Sequence, residues 1–151
     1  MINPDQSREH ERASLNTASS APSDAKFVIP FLDPKLTKSA LDYAAGLISK
    51  EDDFVRLIDV QVVPYGVPLN HPGVDARYLQ RRLKDLGRES DLRVSPQVTF
   101  ARVWEQGFRR VLPQGATVLI PFRRSEWNSS EKRLASRLRR QGHQVIWVES
   151  N

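Results

Sequence analysis

What most constrains this chain is the strict alternation of short apolar runs with helical patterns from Lys26 to Val148. Five runs read as strands: Lys26–Phe31, Phe54–Val62, Leu92–Thr99, Ala116–Phe122 and Gln144–Val148. Four stretches between them carry apolar residues three or four apart, the spacing of one helix face. The first follows Asp33-Pro34 with Leu36, Ala40, Tyr43, Ala44 and Leu47. The second, Val74–Leu86, has Ala76, Leu79, Leu83 and Leu86, with Gly87 just past its end. Ala101–Leu112 carries Val103, Trp104, Phe108, Val111 and Leu112, and Ser129–Gln141 carries Leu134, Ala135 and Leu138. Strict alternation of this kind predicts an α/β domain, a three-layer sandwich around a five-stranded parallel sheet. A run such as Val118-Leu119-Ile120 is apolar throughout because parallel strands are covered on both faces.

Local punctuation fixes several boundaries. Asp33 is a good N-cap, and Pro34 at the first helical position loses no needed donor. Asn128 with Glu131 makes a capping pattern, and Gly142 ends the last helix. Pro96 predicts that the third strand lies at an edge of the sheet. The loop Val63–Gly73 holds Pro64, Pro68 and Pro72 and is apolar for a loop, suited to covering the sheet end or meeting a partner. Residues 1–25 are polar and without period, and read as a flexible tail before a single domain at 26–151. The chain has no cysteine, so disulfides, thiolate zinc sites and cysteine nucleophiles are excluded. Without a signal-peptide pattern or an apolar run of membrane length, the expected location is the cytoplasm.

The net charge of +5 is concentrated late in the chain, where residues 101–151 hold ten Arg and Lys against four acids. Arg133, Arg137, Arg139 and Arg140 on the last helix could track phosphates, but no aromatic residue interleaves to stack bases. A solvated helix face is the better reading, and nucleic acid is not the expected partner. The histidines, His10, His71 and His143, lack metal-ligand spacing, although Asp59 and Asp75 could approach His71. No serine sits in a nucleophile elbow, so no catalytic residue is assigned. The notable cluster is Arg123-Arg124-Ser125 with Ser129 and Ser130, between the fourth strand and the last helix. Ligands of open α/β sheets bind at the carboxyl ends of strands, and helix N-termini favour anions. Arg123, Arg124, Ser129 and Ser130, with Asp33 nearby, are therefore the candidate anion or nucleotide site.

The order of elements resembles the universal stress protein family over Lys26 to Val148. The likeness is carried by Phe27-Val28-Ile29-Pro30, by the helix Leu36–Ile48 with Ser39-Ala40-Leu41 and Tyr43-Ala44, and by an ending at a fifth strand. The resemblance implies strand order 3-2-1-4-5 and a homodimer made through the last strand, with Val145, Ile146, Trp147 and Val148 at the dimer edge. In one branch of that family it also implies ATP at the carboxyl ends of strands one and four. Members that bind ATP carry a glycine-rich loop after strand four, whereas this chain has no glycine between Gly115 and Gly142. Phe31 and Leu32 also separate Pro30 from Asp33, where nucleotide-binding relatives have one residue. The expectation is thus a non-enzymatic regulatory or protective domain in stress response, with no cofactor and no metal, acting on a protein partner or a small anionic ligand. The alternatives are an ATP- or AMP-binding protein using Arg123 and Arg124, and a basic nucleic-acid binder.

Overall fold

The computed structural model describes residues 25–49, 52–126 and 129–150. Strand β1 (Phe27–Pro30) leads to helix α1 (Pro34–Leu47), β2 (Val55–Val62), α2 (Ala76–Glu89) and β3 (Val94–Ala101). Helix α3 (Trp104–Val111), β4 (Thr117–Phe122), a 3-10 turn (Arg124–Glu126), α4 (Ser129–Arg140) and β5 (Gln144–Glu149) complete the order. All five strands are parallel, in the order β3-β2-β1-β4-β5, as expected.

Alternate residues of each strand serve opposite faces, and both faces are dry. Under α1 and α2, Phe27, Ile29, Val55, Leu57 and Leu119 pack with Leu41 and Leu83. Under α3 and α4, Val28, Ile58, Val60, Val118 and Ile120 pack with Phe108, Leu134 and Leu138. Each fully buried side chain of this kind contributes roughly 1.5–3 kcal/mol relative to exposure. Along β5, Val145 and Trp147 join the second cluster and Ile146 and Val148 the first.

Four expectations shift. In α1 the buried stripe is Leu36, Thr37, Ala40, Leu41 and Ala44, while Tyr43 and Leu47 are exposed. Helix α2 runs through Gly87 rather than stopping before it. A Cβ at Gly87 would lie 2.4 Å from Val94 Cγ2 and 2.9 Å from Val94 Cβ, so glycine there lets the helix lie against β3. Strand β3 extends to Ala101, and α3 starts only at Trp104 because Ala101 still pairs with Val62. His71 meets neither acid: Asp75 caps α2 through the Arg77 N–H (2.9 Å), and Asp59 turns to Arg82.

Strand β3 is an edge, as Pro96 predicts. Arg93 and Ala101 give their carbonyls to β2, to Val55 N (3.0 Å) and Val63 N (2.9 Å). The alternate residues Val94, Pro96, Val98 and Phe100 therefore turn their backbone outward. Pro96 has no donor to show there, and the Phe100 carbonyl accepts from Arg110 Nη2 at 3.1 Å.

Asp59, on β2, is 2% exposed. It accepts from Gln61 Nε2 (2.8 Å) and lies 3.5 Å from Arg82 Nη2, whose guanidinium also covers the Phe31 ring. Burial pushes the Asp59 carboxyl above its usual range, and the Gln61 hydrogen bond and the Arg82 charge only partly oppose this. A raised folded-state value means that the native protein holds this proton more tightly than the unfolded chain. Asp59 therefore favours folding at acid pH, and that contribution is lost as pH rises through the folded-state value. In urea titrations from pH 4 to pH 8, Asp59→Asn should flatten the fall in stability and be no less stable than wild type at neutral pH.

Helix α3 presses on the sheet at Gly107, where a Cβ would meet Ala101 Cβ at 2.7 Å and Val60 Cγ1 at 2.8 Å. Gly107→Ala should lower stability by about 1 kcal/mol or more, because overpacking outweighs the gain in helix propensity. A lower urea midpoint at unchanged slope is the expected readout.

Candidate functional site

The strand order reverses direction between β1 and β4, the position where open α/β sheets hold ligands. Here the backbone ladder between the two strands is short. Phe31 N donates to the Ile58 carbonyl of β2 (2.8 Å), so Val28 and Pro30 face β4. On β4, the Ala116 and Phe122 carbonyls serve Gln144 N (3.0 Å) and Ser150 N (2.8 Å), so Leu119 and Pro121 face β1. After the registered pair Val28↔Val118, the next two donors in this ladder would be those of Pro30 and Pro121. Neither exists.

A crevice of about 360 Å³ opens at this seam. Pro30 and Leu32 line it from β1 and its following loop, and Ile120 from β4. Val103, Trp104 and Glu105 come from the start of α3, and Glu131 and Leu134 from α4. Trp104 is held by stacking on Phe108, with ring centres 5.3 Å apart. The sequence places Val103 and Trp104 on a helix face, and only the tertiary arrangement turns them toward β1. The readable signal was proline in two adjacent central strands, where a ladder donor is normally required.

Asp33, Arg123 and Arg124 lie around this seam and are not among the described lining residues of the crevice. Asp33 caps α1, accepting from Leu36 N at 2.8 Å through Oδ1, as expected. It also holds Arg123, whose Nη1 lies 3.2 Å from Asp33 Oδ2. Arg124 turns away to Glu149 (3.2 Å), with its side chain 83% exposed. The two guanidinium groups thus face two different carboxylates. Ser129 and Ser130 begin α4, but their side chains, like Asn128 and its capping pattern, lie outside the described residues.

Charges along the crevice mouth are also paired. Glu105 accepts from Arg137 Nη1 at 2.6 Å, tying α3 to α4, and lies 3.9 Å from Arg109. Arg133, Arg139 and Arg140 are exposed on the outer surface of α4. His143, before β5, accepts from Ala116 N through Nδ1 (3.1 Å), and burial holds its pKa below the usual range. Among the described residues, no group of three His, Asp or Glu could hold a metal ion. No helix among them is long and apolar enough to cross a membrane.

No protein-family model matches the sequence, and neither does any curated protein. Among solved structures, a universal stress protein family member from Burkholderia pseudomallei matches with 18% identity and a TM-score of 0.46. The match covers 80% of this chain and 94% of that one.

Asp33 has two duties, so its variants separate them. Asp33→Ala removes both the cap and the partner of Arg123 and should cost about 1 kcal/mol in thermal or urea unfolding. Asp33→Asn keeps a capping oxygen and should recover most of that loss, because a partly exposed ion pair contributes little.

Proposed function

We propose that this chain is a regulatory domain of universal stress protein type, cytoplasmic and non-catalytic, working as a two-fold dimer joined along β5. The crevice between β1 and β4 is its ligand-sensing place, and a protein partner receives the signal. No cofactor enters this reading.

The observation that carries it is the condition of β5, the last strand of the sheet. Gln144 N and Ser150 N both bond inward to β4, so Val145, Trp147 and Glu149 turn their backbone groups to the open side. Among the described residues, β5 carries no proline to blunt that edge as Pro96 blunts β3. A second copy of β5 would satisfy these groups around a two-fold axis. The half-buried side chains of Val145, Ile146 and Trp147 would gain cover at the same time.

An ATP or AMP site built on Arg123 and Arg124 is disfavoured by the pairing described above. A phosphate would have to displace Asp33 from one arginine and Glu149 from the other, without a glycine loop to offer backbone donors in return. The four arginines of α4 support nucleic-acid binding less well, since Arg137 is drawn to Glu105.

Sedimentation equilibrium should show a dimer at micromolar concentration. Val145→Pro, which removes an outward donor and no β4 ladder bond, should yield a folded monomer by circular dichroism. A wild-type monomer throughout the accessible range would refute the dimer. Millimolar ATP or AMP should leave the melting temperature unchanged, whereas a ligand at 100 times its Kd would add about 2.7 kcal/mol.

A further inference from the structure

Helix α2 carries a line of cations along one side, Arg77, Arg81, Lys84 and Arg88, at the three-and-four spacing that stacks side chains. Arg88 is met by Asp85 at 3.4 Å. Arg77, Arg81 and Lys84 are exposed, and among the described residues no ion pair engages them. With Gln80, and with Pro96 of the β3 edge, these three line a recess of about 370 Å³. No carboxylate is among its described lining residues. This arrangement works against α2 as a helix. Like charges three or four residues apart repel each other. The first turn holds Arg77 and no acid, at the end where the helix dipole disfavours cations. Packing gains nothing in return, because α2 is held to the sheet by Leu79, Leu83 and Leu86 on another face.

We infer that this recess between α2 and the β3 edge docks an acidic peptide segment of a protein partner, with Arg77, Arg81 and Lys84 receiving its carboxylates. From Arg77 to Lys84 the helix rises about 10 Å, the reach of about three residues of extended chain. The guanidinium forks of Arg77 and Arg81 match carboxylate geometry, and Lys84 supplies a point charge. Pro96 removes an outward donor within β3, so the partner is gripped by side chains rather than added as a further strand. Nucleic acid fits less well, since the recess is short and its described lining offers no aromatic ring on which a base could stack. The inference rests on the protein partner of the proposed function and gives that partner a docking place. It needs neither the β5 dimer nor a ligand in the crevice.

The probe is a fluorescein-labelled octapeptide of alternating Glu and Gly, with a Gln-Gly twin as the neutral control. Fluorescence anisotropy with the full chain at low salt should show the acidic peptide binding about tenfold tighter than its twin. Added salt should weaken it steeply. Arg77→Gln, Arg81→Gln and Lys84→Gln combined should weaken it about tenfold. That variant should stay folded by circular dichroism, because it also relieves the like-charge pairs of α2. Should it not fold, Arg81→Gln alone should weaken binding about threefold. Arg133→Gln, Arg139→Gln and Arg140→Gln combined remove the same charge from α4 and should change binding less than about twofold. In 1H–15N spectra the peptide should shift the Gln80 side-chain amide, which locates it in the recess. The proposal is overturned if the α4 variant loses as much affinity as the α2 variant, or if the neutral twin binds as tightly. It is also overturned if a thymidine oligonucleotide of equal charge binds more tightly, or if the Gln80 signal does not move. Failure to saturate by about 5 mM, where a millimolar site would fill, overturns it as well. Because anisotropy reads binding per chain, a monomer that takes the peptide would refute only the dimer, and a dimer that ignores it would refute only this docking place.

Discussion

Two absent hydrogen-bond donors, those of Pro30 and Pro121, interrupt the ladder at the centre of the sheet. A parallel sheet is held laterally by its ladder, and here the ladder between β1 and β4 stops after one registered pair. Beside this interrupted ladder, Trp104, Ile120 and Leu134 both pack in the second core cluster and line the crevice. Elsewhere the sheet is sealed on both faces by conventional packing.

Electrostatics around the seam follow a consistent pattern. Positive charge dominates the last third of the sequence, yet the arginines closest to the sheet end each meet an acid: Arg123 with Asp33, Arg124 with Glu149, Arg137 with Glu105. Such partly exposed pairs add little stability individually. Their effect is to consume the charge that a phosphate would need. A surplus of arginine in the sequence is therefore compatible with a sheet end that has little to offer an anion.

The fold was legible because its determinants are local and repeated. Periodicity placed all five strands and four helices, and Asp33-Pro34 marked the start of α1 correctly. Boundaries slipped where a tertiary demand overrode a local rule. Gly87 reads as a stop but serves as a point of close approach to Val94, and Ala101 reads as helix but completes the β3 ladder. The seam was harder. Arg123 and Asp33 lie 90 residues apart, and nothing in either neighbourhood announces the other. The crevice lining draws from four separate segments, so its acidic character could not be seen by scanning for basic clusters.

The two margins of the sheet differ in a way that bears on how many copies can join. The β3 margin lacks a donor at Pro96 and has its Phe100 carbonyl taken by Arg110, whereas the described β5 margin carries no proline. A sheet with both margins free could add neighbours indefinitely and grow into a fibre. Were two copies to pair along β5, the margins left outermost would be the partly blunted β3 strands, which would disfavour further lateral growth.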